Sequence, residues 1–312
     1  MSHIHAYVPS FIFILILIVL VLFRMFLSLP LSFVSCSMAP KRKSTSSQNP
    51  LCSRASSSSD TTPSHIRFHD DKARKDFSKN FSRWGIHSKC RVILSDFSNT
   101  DLPTVIYSRG WGSLCDILVT CPSVIIQDFY FNMHRFDTSI PYFFFRIRGT
   151  RIVVTPNVVS EVLHIPRAAH PDYPNCDRLR TVSKDELLSL FCETPSSWGD
   201  CPNTHCLGFT KGLRFFHMVM TFILHPLSHY NSITESRAWF LLSLLEEISI
   251  DFPSHFILSL INVYRDTVTR DKLIFPSAIT WLLHHFSVSF SESPHFTVMS
   301  AIDAATVRRR EA

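Results

Sequence analysis

Residues 143–163 read FFFRIRGTRIVVTPNVVSEVL, and the parsing of that stretch decides the fold. Phe143, Phe145 and Ile147 alternate with Phe144, Arg146 and Arg148, the two-residue period of a strand with one buried face. Arg151 to Val154 supplies a second strand, so a tight hairpin is expected with Gly149-Thr150 as its turn. On that parsing Arg148 and Arg151 face each other across the ladder. Thr155 then offers an N-cap hydroxyl, and Pro156 falls at the first helical position, where its missing N–H costs nothing. A short helix follows and ends before Pro166.

Outward from this hairpin the chain reads as helix. Upstream, Ser123 to Met133 is aromatic and apolar, and a helix is expected from Gly110-Trp111-Gly112 through Leu118. Asp70 to Trp84 opens with acids and carries Phe77, Phe81 and Trp84 at helical spacing, which predicts an amphipathic helix. Downstream, Ser183-Lys184-Asp185-Glu186 is a capping box opening a helix to about Cys192. Leu213 to Leu224 is an apolar helix stopped by Pro226; Thr234 caps Glu235 to Ile248, whose centre is apolar all round and should be buried. Pro253 to Arg270 and Ser277 to Phe286, the latter opened by Pro276, complete the series. The expected fold is mainly α: a single helix-rich domain with a small β-hairpin.

Composition narrows the function. The chain has 27 Phe and only 7 Gly, and no glycine spacing forms a GxGxxG or GxxxxGK[ST] phosphate cradle. Nine cysteines without a CxxC pair argue against a disulfide framework. The net charge of +6 is concentrated in Lys41-Arg42-Lys43, in Lys72 to Arg91 and in Arg308-Arg309-Arg310.

Four segments follow: a hydrophobic leader at 1–37, a Ser-rich basic linker at 38–66, the helical domain at 67–290 and a tail at 291–312. The linker has almost no apolar residues to offset its ordering entropy and is expected to be disordered. The leader carries 13 consecutive apolar residues from Phe11 to Phe23, a length that suits a signal-peptide core and falls short of a bilayer's ~30 Å core unless the span runs on to about Leu29 as an anchor. Its residues are almost all of types whose codons carry a pyrimidine at the second position, as in a leader translated by mistake. Met38 would then be the start, with Lys41-Arg42-Lys43 as a nuclear import cluster. The expectation is therefore nuclear if initiation is at Met38, and a single membrane segment at about 11–29 if the chain is made as written and the segment retained.

The order of several short motifs resembles a plant family, the putative plant transposon protein domain. The residues carrying the resemblance are Gly110-Trp111, Asp128-Phe129-Tyr130-Phe131-Asn132-Met133 and Arg148-Gly149. Pro226-Leu227-Ser228-His229, Ile250-Asp251 and Leu273-Ile274-Phe275-Pro276 with Ile279-Thr280 continue the series, covering about Arg67 to Val288. Asp128 stands where the family has Glu. The resemblance implies a mobile-element origin and brings no established activity or catalytic residues.

No catalytic set is expected. A transposase needs three carboxylates converging on two metal ions, and Asp96, Asp128 and Glu161 or Glu186 stand in a chain whose second half is helical. Cys192, Cys201, His205 and Cys206 match no common zinc spacing, and no metal or cofactor is assigned. The expected role is a non-catalytic protein-binding or self-associating module; the alternative is a nucleic-acid-binding accessory protein. For the latter the candidate residues are Lys72, Arg74, Lys75, Lys79 and Arg83 of the basic segment and Arg146, Arg148 and Arg151 of the hairpin. Opposed arginines cost stability unless an anion or an internal acid such as Asp128 or Glu161 lies between them.

Overall fold

The computed structural model describes residues 68–305, apart from 69, 80–83, 88–89, 117–120, 148, 195, 227–230, 267–271, 290–294, 297–300 and 304. The leader, the linker, Arg83, Arg148 and the basic runs at 41–43 and 308–310 lie outside the described residues. Among the described residues no helix is long and apolar enough to cross a membrane.

The centre is a helix, a three-stranded sheet and a second helix in direct succession. Helix α4 (Ser123–Phe131) leads into β3 (Met133–Asp137), β4 (Tyr142–Ile147) and β5 (Thr150–Val154), which pair antiparallel in the order β3-β4-β5; α5 (Pro156–Leu163) follows. Alternation along β4 and β5 puts Phe143, Phe145, Ile147, Ile152 and Val154 on one buried face. That face packs on α4, where the Phe129 ring lies 4.6 Å from Phe145 and 5.6 Å from Phe143, centroid to centroid. Phe131, also on α4, takes α1 (Asp71–Lys79) through Phe77 at 5.0 Å. Asp70 caps α1 by accepting from the Ala73 N–H at 2.7 Å.

Helices α10 (Phe252–Arg265) and α11 (Pro276–His285) pack on α5, and α11 also meets α4. Tyr130 fixes that junction: its hydroxyl donates to the Ile274 carbonyl at 3.0 Å and accepts from the Ile274 N–H at 3.2 Å. The remaining long helices are α7 (Lys184–Phe191), α8 (Lys211–Val219), which runs on as a π-helical turn over Met220–Leu224, and α9 (Glu235–Leu245). Between α7 and α9 lie two short strands, β6 (Asn203–His205) and β7 (Ser232–Thr234). The shorter helices α2 (Leu102–Ser108), α3 (Gly112–Asp116) and α6 (Asp177–Thr181), and the two-residue strands β1 (Gly85–Ile86), β2 (Cys121–Pro122), β8 (Lys272–Leu273) and β9 (His295–Phe296), complete the described α-helices and strands, and two 3-10 turns lie at Leu94–Phe97 and Cys206–Gly208.

The protein is thus a helix-rich α+β fold with small sheets. Thr155 caps α5 by accepting from Val158 N–H, and Ser183 caps α7 by accepting from Glu186 N–H at 3.1 Å. The Glu186 carboxylate turns to Arg178 at 2.9 Å, so only half of the capping box forms. In α9, Ala238 to Leu244 is buried except for the half-buried Trp239. The expected hairpin is two strands of a three-stranded sheet, since Met133 to Asp137, assigned to no strand by its sequence, pairs with β4.

The turn of the hairpin is also displaced by one residue. Arg146 pairs with Arg151 and Ile147 with Thr150, so Thr150 belongs to the ladder and not to the expected Gly149-Thr150 turn. Gly149 has φ +88°, a conformation a β-branched threonine resists. Both registers keep the same side chains inside, so the hydrophobic pattern cannot separate them. The observed one also pairs Phe143 with Val154 and leaves Pro156 outside the ladder to begin α5.

Candidate nucleic-acid interface

The register shift changes which arginines meet. Arg146 on β4 lies opposite Arg151 on β5, both exposed on the solvent face of the sheet. The Arg151 guanidinium carbon sits 4.5 Å from the centre of the Phe144 ring, a cation–π contact that offsets part of the repulsion. Neither Asp128 nor Glu161 lies between the arginines. Asp128 is buried in α4 and accepts from Asn132 Nδ2 at 2.6 Å, whereas Glu161 is exposed on α5 beside His164 and Trp281. Among the described residues Arg146 and Arg151 have no ion-pair partner.

The rung next to the arginines is aromatic. Register places His134, Phe144 and Val153 side by side on the same outer face, with Tyr142 and Asp137 one rung further. His134 stacks on Phe144 at 6.3 Å and 29°, and Tyr142 meets Phe144 edge-on at 5.7 Å. Asp137 marks the far end of the face. Its carboxylate accepts from Ser139 Oγ at 2.6 Å and Ser139 N–H at 2.8 Å, and these bonds hold its pKa below the usual range. The outer face therefore runs from the two arginines, over aromatic rings, to Asp137, beside which Arg265 lies over the Phe136 ring at 4.6 Å. The sequence points to the arginines and the outward Phe144 but not to His134, whose strand β3 it does not reveal, nor to Tyr142, which lies one residue before the expected start of β4 at Phe143.

The basic segment is not joined to those two arginines. Lys72 donates to the Tyr264 hydroxyl at 3.1 Å, and Tyr264 packs on Phe136 at the Asp137 end of β3. Arg146 is four residues from Tyr142 along β4, about 13 Å of strand. Arg74 lies 5.6 Å from the Phe68 ring, and Lys75 and Lys79 are exposed on α1.

The contact between Cys206 and His217 is buried and detuned. Cys206 Sγ lies 3.6 Å from His217 Nε2, near Arg237. Burial pushes the thiol pKa up to about 12; burial, with the Arg237 charge assisting, pushes the imidazole down to about 3. A nucleophilic pair needs the opposite shifts. Among the described residues no group of three or more His, Cys, Asp or Glu could hold a metal ion. Cys192, Cys201 and His205 are half-buried or exposed around the loop before β6.

Two surface cavities lie elsewhere. One of about 320 Å³ is lined by Arg109, Trp111, Arg167 and Glu247. Its cations serve the fold: Arg109 donates to the Ser243 carbonyl at 2.8 Å and to that of Ile248 at 3.0 Å, and Arg167 donates to both Asp251 oxygens at 2.8 and 2.9 Å. The other, about 540 Å³, is a groove between Glu161, His164, Trp281, His284 and His285.

These features define a helix-rich α+β domain whose small sheet presents an arginine-and-aromatic outer face. The chain belongs to the family described as a putative plant retrotransposon-related domain, whose profile matches residues 107–289. That match bears out the resemblance to a plant transposon protein domain. No match was found among curated proteins or solved structures.

Proposed function

We propose that this retrotransposon-derived protein is non-catalytic and contacts nucleic-acid phosphates through Arg146 and Arg151. One observation carries the proposal: two exposed arginines oppose each other across a ladder with no ion-pair partner among the described residues. Like charges in that position cost stability. A phosphate between them turns repulsion into two charge-assisted interactions, because each guanidinium can present paired N–H donors to phosphate oxygens. The detuned Cys206–His217 contact supports the non-catalytic part.

The test is a salt titration of the full chain on a labelled 20-nucleotide oligonucleotide. The logarithm of the binding constant should fall linearly with the logarithm of salt. The Arg146→Gln/Arg151→Gln variant should flatten that slope by about 1.4 to 1.8, two contacts at roughly 0.7 to 0.9 each. An unchanged slope would overturn the proposal.

A protein partner or a second copy of the chain is the competing reading. Its support is the edge strand β5, which pairs only with β4 among the described residues and carries Val153 at 39% exposure. Sedimentation of the wild type against Val153→Lys separates it: a strand-pairing dimer would dissociate, and a phosphate-binding monomer would not change mass.

A further inference from the structure

Resting on that phosphate contact, we infer that the outer sheet face selects single-stranded over duplex nucleic acid, with bases lying on the aromatic rung beside the arginines. Phe143 and Phe145 are fully buried, so the core of the sheet is complete without Tyr142 and Phe144. These two rings instead point outward, half-exposed, and Phe144 makes its ring contacts within the sheet, with His134, Tyr142 and the Arg151 guanidinium. Val153, in the same rung, is 39% exposed. Rings and a guanidinium plane at solvent height beside a cationic rung are what unpaired bases recognise, since stacking needs a free base face and a duplex hides both faces.

The opposed arginine rung sets the orientation. Phosphates are drawn to Arg146 and Arg151 and repelled by Asp137, whose hydrogen bonds to Ser139 keep it ionised. A strand therefore keeps its backbone at the arginine end while its bases lean toward Phe144 and Tyr142. A sheet face of this size accommodates about two or three bases. Because any base has a stacking face, little sequence preference is expected.

The experiment compares the full chain's affinity for a 20-nucleotide oligo-dT, the matching oligo-U and a 20-base-pair duplex at one salt concentration. Single strands should bind at least about tenfold more tightly than the duplex. Phe144→Leu and Tyr142→Leu should each weaken single-strand binding by roughly 5-fold to 100-fold, and Tyr142→Leu, which removes no partner of Arg151, should leave the salt slope unchanged. Phe144→Trp, which keeps a stacking surface, should retain it. If Phe144→Leu fails to fold by circular dichroism, Tyr142→Leu and Phe144→Trp carry the test. Equal binding of duplex and single strand, with both leucine variants unaffected, overturns the stacking inference and leaves the phosphate contact standing. A salt slope unchanged in Arg146→Gln/Arg151→Gln removes the phosphate contact, and this inference falls with it.

Discussion

Arg146 and Arg151 stand directly opposite each other in the β4–β5 ladder, two positive charges held face to face on a solvent-exposed sheet. Such a pair weakens the hairpin and strengthens anything anionic that docks there, so stability and binding should move in opposite directions on substitution. Arg146→Glu replaces the repulsion with a cross-strand ion pair to Arg151. It should raise unfolding free energy by about 0.2 to 1 kcal/mol while weakening oligonucleotide binding, both read on one preparation by urea denaturation and anisotropy. A loss of stability instead would mean that the Arg146 charge is already compensated in the native fold.

How far this was legible in the sequence depends on what fixes each feature. The caps at Thr155 and Ser183 are local: a hydroxyl three residues before an N–H needs no tertiary partner to be recognised. The hairpin's buried face was equally legible, because alternation is local. Its register was not. The pairings of Arg151 with Arg146 or with Arg148 leave the same side chains inside, and what favours the former is that it keeps the β-branched Thr150 in the ladder and out of a turn position that demands positive φ. β3 was hidden for another reason: Arg135 has φ +47° and the register shifts between His134 and Asp137, so the strand lacks clean alternation. With β3 unseen, nothing in the sequence could bring His134 beside Phe144.

Two glycines at positive φ separate backbone strain from crowding. Gly149 has φ +88° and open space where a Cβ would go; Gly110 has φ +67° and a Cβ there would lie 2.9 Å from Pro166 Cδ. Gly149→Ala should cost about 1 to 2 kcal/mol from conformation alone. Gly110→Ala carries the same term plus a clash with a rigid proline ring, and its thermal midpoint should fall clearly further. Equal losses would show that Pro166 moves aside freely.

Arg237 is fully buried and spends one guanidinium nitrogen on two acceptors, Thr221 Oγ1 at 2.8 Å and the His225 carbonyl at 2.9 Å. Thr221→Val preserves shape and removes one acceptor from a buried cation. A cost of about 1.5 to 3 kcal/mol is expected, measured as a shift in urea midpoint with unchanged m-value. A change below about 0.5 kcal/mol would mean that other acceptors around Arg237 already carry that nitrogen.

Two histidines give stability an acid limb. Burial pushes His217 down to about 3 and His255 down to about 4, the latter walled by Phe240, His225 and Tyr173. Folded values below the ordinary 6.5 mean that the unfolded chain binds more protons between those limits. This contribution is therefore fully present above pH 6.5 and is lost as the pH falls toward the folded values. Each group contributes a slope of about 1.4 kcal/mol per pH unit, so His217 alone should remove about 2 kcal/mol between pH 6.5 and 5. Urea midpoints at pH 7, 6 and 5 for the wild type and His217→Gln isolate it: the variant starts lower and declines less steeply. Parallel declines would assign the acid limb to other groups.

The Arg167–Asp251 pair ties the chain beyond α5 to the start of α10, and it is the clearest structural use of a family motif residue. Asp251 is 6% exposed and accepts both guanidinium bonds, at 2.8 and 2.9 Å, with Ser254 Oγ donating to the same carboxylate. Asp251→Asn keeps the size of the side chain but loses the charge and one bidentate acceptor, leaving Arg167 half-paired at the edge of the 320 Å³ cavity. Because the carboxylate is buried and its partner is partly exposed, the loss should be about 1.5 to 3 kcal/mol. That exceeds what an exposed pair such as Arg91–Asp116, at 3.4 Å, could lose, where less than about 1 kcal/mol is expected. Comparing Asp251→Asn with Asp116→Asn by thermal denaturation checks the difference: similar small shifts for both would reduce the Arg167–Asp251 contact to a surface ion pair.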